Sequence, residues 1–282
     1  MTSLRLVLGL LLWAGTASAQ SMRPFSTFRQ QHGETRLRVN LQYAAGVLRL
    51  GAGPTGQLYR MDVSYDPDRF VPRSEFDAAR GEVLLGVEAA GHAGLRVVSQ
   101  HQLQQLATVS FSPDVDLALD VGLGAVDADL ELGGLRLTDL NLETGASRAV
   151  IRFSQPNGAR CGAAQLSAGA AELSVIGLGN SRCDRIDFQG GVGKVTLDFG
   201  GAWTASSNVE VQMAMGELTL RLPRQVGVRI TLDKFLSSFE PSGLVRRGNS
   251  FESPGYNRDS RHLDIAMTAA VGQVRVEWVN KQ

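Results

Sequence analysis

The sequence is poor in the residues that catalytic and metal chemistry usually rest on. Two cysteines, four histidines and 6% aromatics are spread over 282 residues. The histidines, His32, His92, His101 and His262, have no close metal-ligand spacing, and no Gly-x-Ser-x-Gly elbow occurs. Lysine stands only at Lys194, Lys234 and Lys281, so the basic charge is nearly all arginine. Acidic and basic residues balance at 28 each, which leaves no electrostatic footprint of a nucleic-acid binder. No apolar run approaches the roughly 20 residues that span a bilayer, and no convincing long helical pattern occurs.

What is present begins with a leader. Arg5 gives a positive start, Leu6 to Gly15 a short apolar stretch, and Ala17-Ser18-Ala19 a small-residue cleavage pattern. Residues 1–19 are therefore expected to be a signal peptide, with Gln20 as the mature N-terminus. The alternative, an N-terminal membrane anchor, needs a longer apolar run. No cysteine follows the stretch, which argues against a lipid anchor. The mature chain is expected to be exported, periplasmic or extracellular, with no membrane span.

Glycine is plentiful at 32 residues, and it punctuates a repeat. Five segments share an alternating apolar strand, a glycine and a second alternating strand. Leu117, Leu119 and Val121 lead through Gly124 to Val126, Ala128 and Leu130. Comparable segments surround Gly145, Gly169, Gly193 and Gly216, in steps of 21, 24, 24 and 23. Period-two alternation buries one face of each strand, and the glycine permits a bend where a Cβ would clash. Two short strands per step of about 22 residues suit stacked coils. A displaced sixth copy runs from Leu263 through Gly272 to Trp278, after a turn-rich insertion at 232–262. The fold class predicted is all-β: a glycine-rich β-solenoid, with a sandwich of regularly spaced hairpins as the competing architecture.

Residues 20–112 alternate less regularly and are placed to cap one end of the stack. Leu37, Val39, Leu41 and Tyr43 precede Gly46, and Tyr59 to Tyr65 alternate again. Ser112-Pro113 is the expected internal boundary, so the repeat domain takes in 113–282.

These residues resemble a known family. Leu117-Ala-Leu-Asp-Val-Gly-Leu-Gly-Ala-Val, its echoes around Gly193 and Gly216, and Leu263 to Val276 look like the toast-rack domain of LiaF-type and phage-shock-protein-C-type envelope-stress proteins. That domain is similar to one labelled as an adhesin domain. The likeness runs over about residues 36 to 279. It implies a toast-rack fold and an envelope setting, and it supplies no catalytic residues. Those stress proteins carry transmembrane helices ahead of the domain, whereas this chain has only the leader.

Motifs that mimic chemistry fail on context. Gly51-Ala-Gly53-Pro54-Thr-Gly56 has the letters of a dinucleotide fingerprint, but Pro54 interrupts it and a strand follows where a helix is needed. Gly190-Gly-Val-Gly193 resembles a calcium β-roll, but Lys194 stands where that repeat needs an aspartate. Asp114 with Asp116, and Asp127 with Asp129, offer too few oxygens for calcium. No cofactor and no metal is expected. Function is read as a non-enzymatic binding or scaffolding module of the cell envelope, linked to envelope stress or adhesion, with an envelope protein or glycan as partner. The alternative is a carbohydrate-active solenoid enzyme, whose acidic or basic residues would stack over consecutive coils in one groove.

Two features are candidate sites. Cys161 and Cys183 are 22 residues apart, one repeat step, which sets them on adjacent coils within disulfide reach; a pair of buried thiols is the other possibility. The insertion carries Phe235, Phe239, Phe251 and Tyr256 among Arg246, Arg247, Arg258 and Arg261. Aromatics and arginine are enriched in interface hot spots, so Phe235, Phe239, Arg246, Arg247, Phe251, Tyr256 and Arg258 are the candidate binding residues. The same aromatics could instead plug the open end of the stack.

Overall fold

The computed structural model describes residues 22–90, 105–233 and 238–279. The expected leader at residues 1–19, together with His92, His101 and Phe235, lies outside those residues. Among the described residues no α-helix occurs, and seventeen strands join one sheet.

Strand β7 (Asp116–Glu131) shows how one coil is made. Leu117, Leu119, Val121 and Leu123 are buried at every second position. The next buried residues are Val126, Ala128 and Leu130, so the interval across the bend is three instead of two. That break in parity turns one long strand into two arms that face a common core. The chain then returns through a turn whose Leu132 and Leu135 are fully buried. The next coil, β8 (Arg136–Thr144) and β9 (Arg148–Arg152), pairs in parallel with the first and second arms of β7. Then β10 (Cys161–Ile176), β11 (Cys183–Asp198) and β12 (Ser207–Pro223) follow, again in parallel and in register. Parallel pairing of successive coils decides for the solenoid and against the hairpin sandwich.

The two ends are built alike. Strand β2 (Arg36–Ala52) pairs with both arms of β7 and is a full coil. Outside it lie β5 (Glu82–Ala89) on the first arm and β6 (Leu106–Phe111) on the second. Since β6 and β7 both pair with β2, one sheet carries both sides of Ser112. At the other end β17 (His262–Val279) is inserted between β12 and the outer pair, β13 (Gly227–Asp233) and β14 (Ser238–Glu240). Antiparallel strands then cover the stack. Strand β4 (Phe70–Asp77) lies on β5, and β3 (Gln57–Tyr65) on β6 with β1 (Arg23–Gln30) beyond it. Strand β16 (Ser250–Glu252) lies on β13, followed by the short β15 (Val245–Arg247). A parallel stack would otherwise present long open edges to other chains.

Register explains the bend. Gly193, Gly216 and Gly272 face one another on β11, β12 and β17. Gly216 has φ +129°, and a Cβ there would sit 1.9 Å from the carbonyl oxygen of Gly193. Only glycine meets both conditions. The glycine count made on the sequence mixes two rows, however. Ala168 faces Gly190 and Ala170 faces Val192, so the partner of Gly169 is Gly191, and Gly193 faces Ala171.

Buried polar groups hold the returns. Asn157 is fully buried; its Nδ2 donates to the Leu137 oxygen at 2.7 Å, and its Oδ1 accepts from the Leu137 amide at 2.7 Å. On the next return Asn180 donates to the Phe153 oxygen at 2.8 Å and accepts from the Ala202 amide at 2.8 Å. Cys161 and Cys183 face each other at the starts of β10 and β11, joined as a disulfide with Cα atoms 4.2 Å apart.

Candidate functional site

The bend leaves a trough of about 1100 Å³ along the outer face of the first arms. Its floor is a row of minimal side chains: Ala44, Gly124, Gly145, Gly169, Gly191, Ala214 and Ala270. Two residues earlier on each coil stands the rim, Gln42, Gly122, Glu143, Ser167, Gln189, Gln212 and Thr268, matched residue for residue by the strand register. The inward position between the rows, as at Tyr43 and Met213, belongs to the core. The rim therefore stacks amide, carboxyl and hydroxyl groups over successive coils about 4.8 Å apart. On the bend side Val192, Met215 and Val271 form an exposed apolar row, 49–54% accessible.

Among the described residues, Glu88 and Glu143 are the only charged groups that line the trough, and no histidine, lysine or arginine does. Gln42 donates to Asn40 at 2.9 Å and Gln212 to Glu210 at 2.7 Å, which fixes two rim amides. Beneath the rim, burial holds the Tyr43 phenol well above its ordinary value, with the Gln105 amide beside it. Gln105 donates to the Ala45 oxygen at 2.7 Å.

On the second arms charge forms a ladder of alternating sign. Asp127, Arg148, Glu172, Lys194 and Glu217 face one another on successive coils. Arg148 lies 3.5 Å from Asp127 and 3.3 Å from Glu172, and Lys194 lies 4.0 Å from Glu217. Lys194, the residue that spoils the calcium pattern, is thus a rung. Asp116 pairs with Arg136 at 2.8 Å, and Asp129 pairs with Arg152. Among the described residues no group of three or more His, Cys, Asp or Glu is placed to hold a metal. Gly53 and Gly56 lie in the β2–β3 turn, where the Gly53 amide donates to the Phe111 oxygen at 2.8 Å.

The insertion forms the outer C-terminal layer. Phe239 packs against the core and meets Phe251 edge-on at 5.0 Å. Tyr256 is buried; its hydroxyl donates to Asp264 at 2.7 Å, and the Arg229 guanidinium lies 4.1 Å above its ring. Burial, then the hydrogen bond to Asp264, pushes this phenol up to about 12. Arg246, Arg247 and Arg258 stay exposed, with Arg246 donating to the Gly248 oxygen at 3.2 Å. The described aromatics of the insertion are thus turned inward and its arginines outward, and none of them lines the trough.

The trough residues escaped notice in the sequence because a rim exists only once coils are stacked. A signal was there: Gln42-Tyr-Ala44, Glu143-Thr-Gly145, Ser167-Ala-Gly169, Gln189-Gly-Gly191, Gln212-Met-Ala214 and Thr268-Ala-Ala270 all read polar, any, small.

Comparison with known proteins agrees with the architecture. The family model for the N-terminal domain of toast_rack matches residues 17–176. The model for the cell wall-active antibiotics response LiaF C-terminal domain matches residues 178–276. The two meet in the turn after β10, inside the continuous stack. Neither is an enzyme family. No curated protein matches the chain. A solved structure described as a candidate cell adhesion protein of Clostridium sporogenes is similar over 92% of this chain and 100% of its own, at 15% identity and TM-score 0.49. A candidate adhesin of Bacteroides fragilis is similar over 91% and 98%, at 11% identity and TM-score 0.41. With one model covering more than half of its 282 residues and the second taking up where that one ends, the chain belongs to the toast-rack family, with a LiaF-like C-terminal part.

Proposed function

We propose that this protein is an exported, non-enzymatic binding module of the bacterial cell envelope, serving the response to envelope stress or adhesion through its trough. One observation carries the reading: the rim positions run in register from β2 to β17 over a floor of small residues and are polar at every coil but that of Gly122. A catalytic solenoid groove would need paired carboxylates or a basic residue on neighbouring coils; here Glu88 and Glu143 stand on different strands, with no basic neighbour among the described lining residues. The leader motif supports export, and the LiaF-like part supports a link to cell-wall-active antibiotics.

The test is complementation. A strain lacking the gene is challenged with a cell-wall-active antibiotic and supplied with wild type or with Ala214→Trp, a change at an exposed floor position. The filled variant is expected to be exported and folded yet to behave like the deletion. Full rescue by the filled variant would remove the trough from the function.

A further inference from the structure

We infer that the trough holds a single extended, uncharged polysaccharide chain lying along the stack; this rests on the binding reading above and names its ligand class. Four observations select that occupant.

The first is repeat length. Rim groups recur once per coil, about 4.8 Å apart, close to the length one pyranose adds to an extended β-1,4-linked chain, whose alternate rings are turned over so that like edges meet every second coil. An extended polypeptide advances about 3.3 Å per residue and presents like-facing side chains every second one. It falls out of step with the rim after two coils.

The second is hydrogen bonding. Strands β7, β10, β11 and β12 pair on both sides, so their backbone donors and acceptors are already used. An incoming peptide strand would find no edge to extend and would leave its own amides unpaired. Sugar hydroxyls need side-chain amides and hydroxyls, which Ser167, Gln189, Gln212 and Thr268 supply. Gln212 already donates to Glu210, so its carbonyl oxygen is oriented to accept.

Charge is the third. Among the described residues no cation lines the trough, and Glu88 and Glu143 would repel a polyuronate, a polyphosphate or a nucleic acid.

Shape is the last. The glycines at 145, 169 and 191 leave a flat floor against which a ring can lie. With no exposed aromatic among the described lining residues, each sugar is held weakly and affinity accumulates along the chain.

The experiment is calorimetric titration of the purified mature chain with β-1,4-linked N-acetylglucosamine oligomers from dimer to hexamer, and with cellohexaose. Polygalacturonate and an extended proline-rich peptide serve as the competing classes. The hexamer is expected to bind at least roughly tenfold more tightly than the trimer, as linked subsites fill. Ala214→Trp should abolish binding without shifting the thermal midpoint. Should that variant fail to fold, Gln189→Ala/Gln212→Ala is the substitute, expected to weaken the hexamer several-fold. Saturable binding of neither neutral hexamer, affinity independent of length, preference for the polyanion or the peptide, or indifference to the trough variants would each overturn the inference. Trough-dependent binding to whole envelopes in that event would leave the binding reading standing; its loss as well would remove both.

Discussion

Gly216 and Gly56 are both glycines with positive φ, and replacing each by alanine separates backbone strain from steric collision. Gly56 has φ +78° with nothing within 4 Å of a built Cβ; Gly216 has φ +129° with the Gly193 oxygen at 1.9 Å. Left-handed backbone costs an L-residue about 1–2 kcal/mol. That is the whole expected cost at Gly56. At Gly216 the side chain must also force apart two coils that face each other along β11 and β12, at a further overpacking cost of about 1–3 kcal/mol. The total, roughly 2–5 kcal/mol, is a large share of the ~5–15 kcal/mol that holds a domain folded. Urea unfolding followed by circular dichroism and tryptophan fluorescence reads both variants against wild type. The Gly216→Ala midpoint should fall well below that of Gly56→Ala. Equal losses, or a Gly216→Ala loss under about 1 kcal/mol, would refute the claim that the bend exists because a carbonyl occupies the place of a Cβ.

Other consequences can be read in the same assays. Cys161→Ala/Cys183→Ala removes a cross-link spanning 22 residues and should cost about 3 kcal/mol through the unfolded state; denatured, unreduced wild type should titrate no free thiol. Arg148→Glu places a third carboxylate between those of Asp127 and Glu172 and should cost about 1 kcal/mol at low salt, shrinking as salt is added. The Tyr256 phenol is raised on folding, so its stabilisation is complete below the unfolded value of ~10 and is lost as pH climbs towards about 12. Tyr256→Phe should flatten that alkaline decline; an unchanged slope would contradict it.

Much of the stack was legible because its signals are local. Alternation at Leu37 to Tyr43 and at Leu117 to Val121, with glycine at each bend, is written in the chain itself and marks both coils. Strand order was not legible, since it depends on contacts far apart in sequence. Nothing in residues 36–52 says that β2 will lie between β7 on one side and β5 and β6 on the other. The glycine period also misled. Gly169 to Gly193 looks like one step of 24, yet the coil-to-coil match is Gly169 with Gly191, because two glycine-bearing rows run two residues apart. In the insertion, composition drew attention to the right aromatics without giving their direction. Phe239 and Tyr256 face inward because the outermost coil needs apolar cover more than the solvent face needs a ligand.

Co-sedimentation of the purified mature chain with isolated cell envelopes tests the central claim most directly. The account predicts saturable binding by wild type, near-complete loss in Ala214→Trp at unchanged thermal midpoint, and retained binding in Arg246→Ala/Arg247→Ala, which alters only the exposed outer hairpin. Binding that survives the filled trough but vanishes with the hairpin arginines would contradict it.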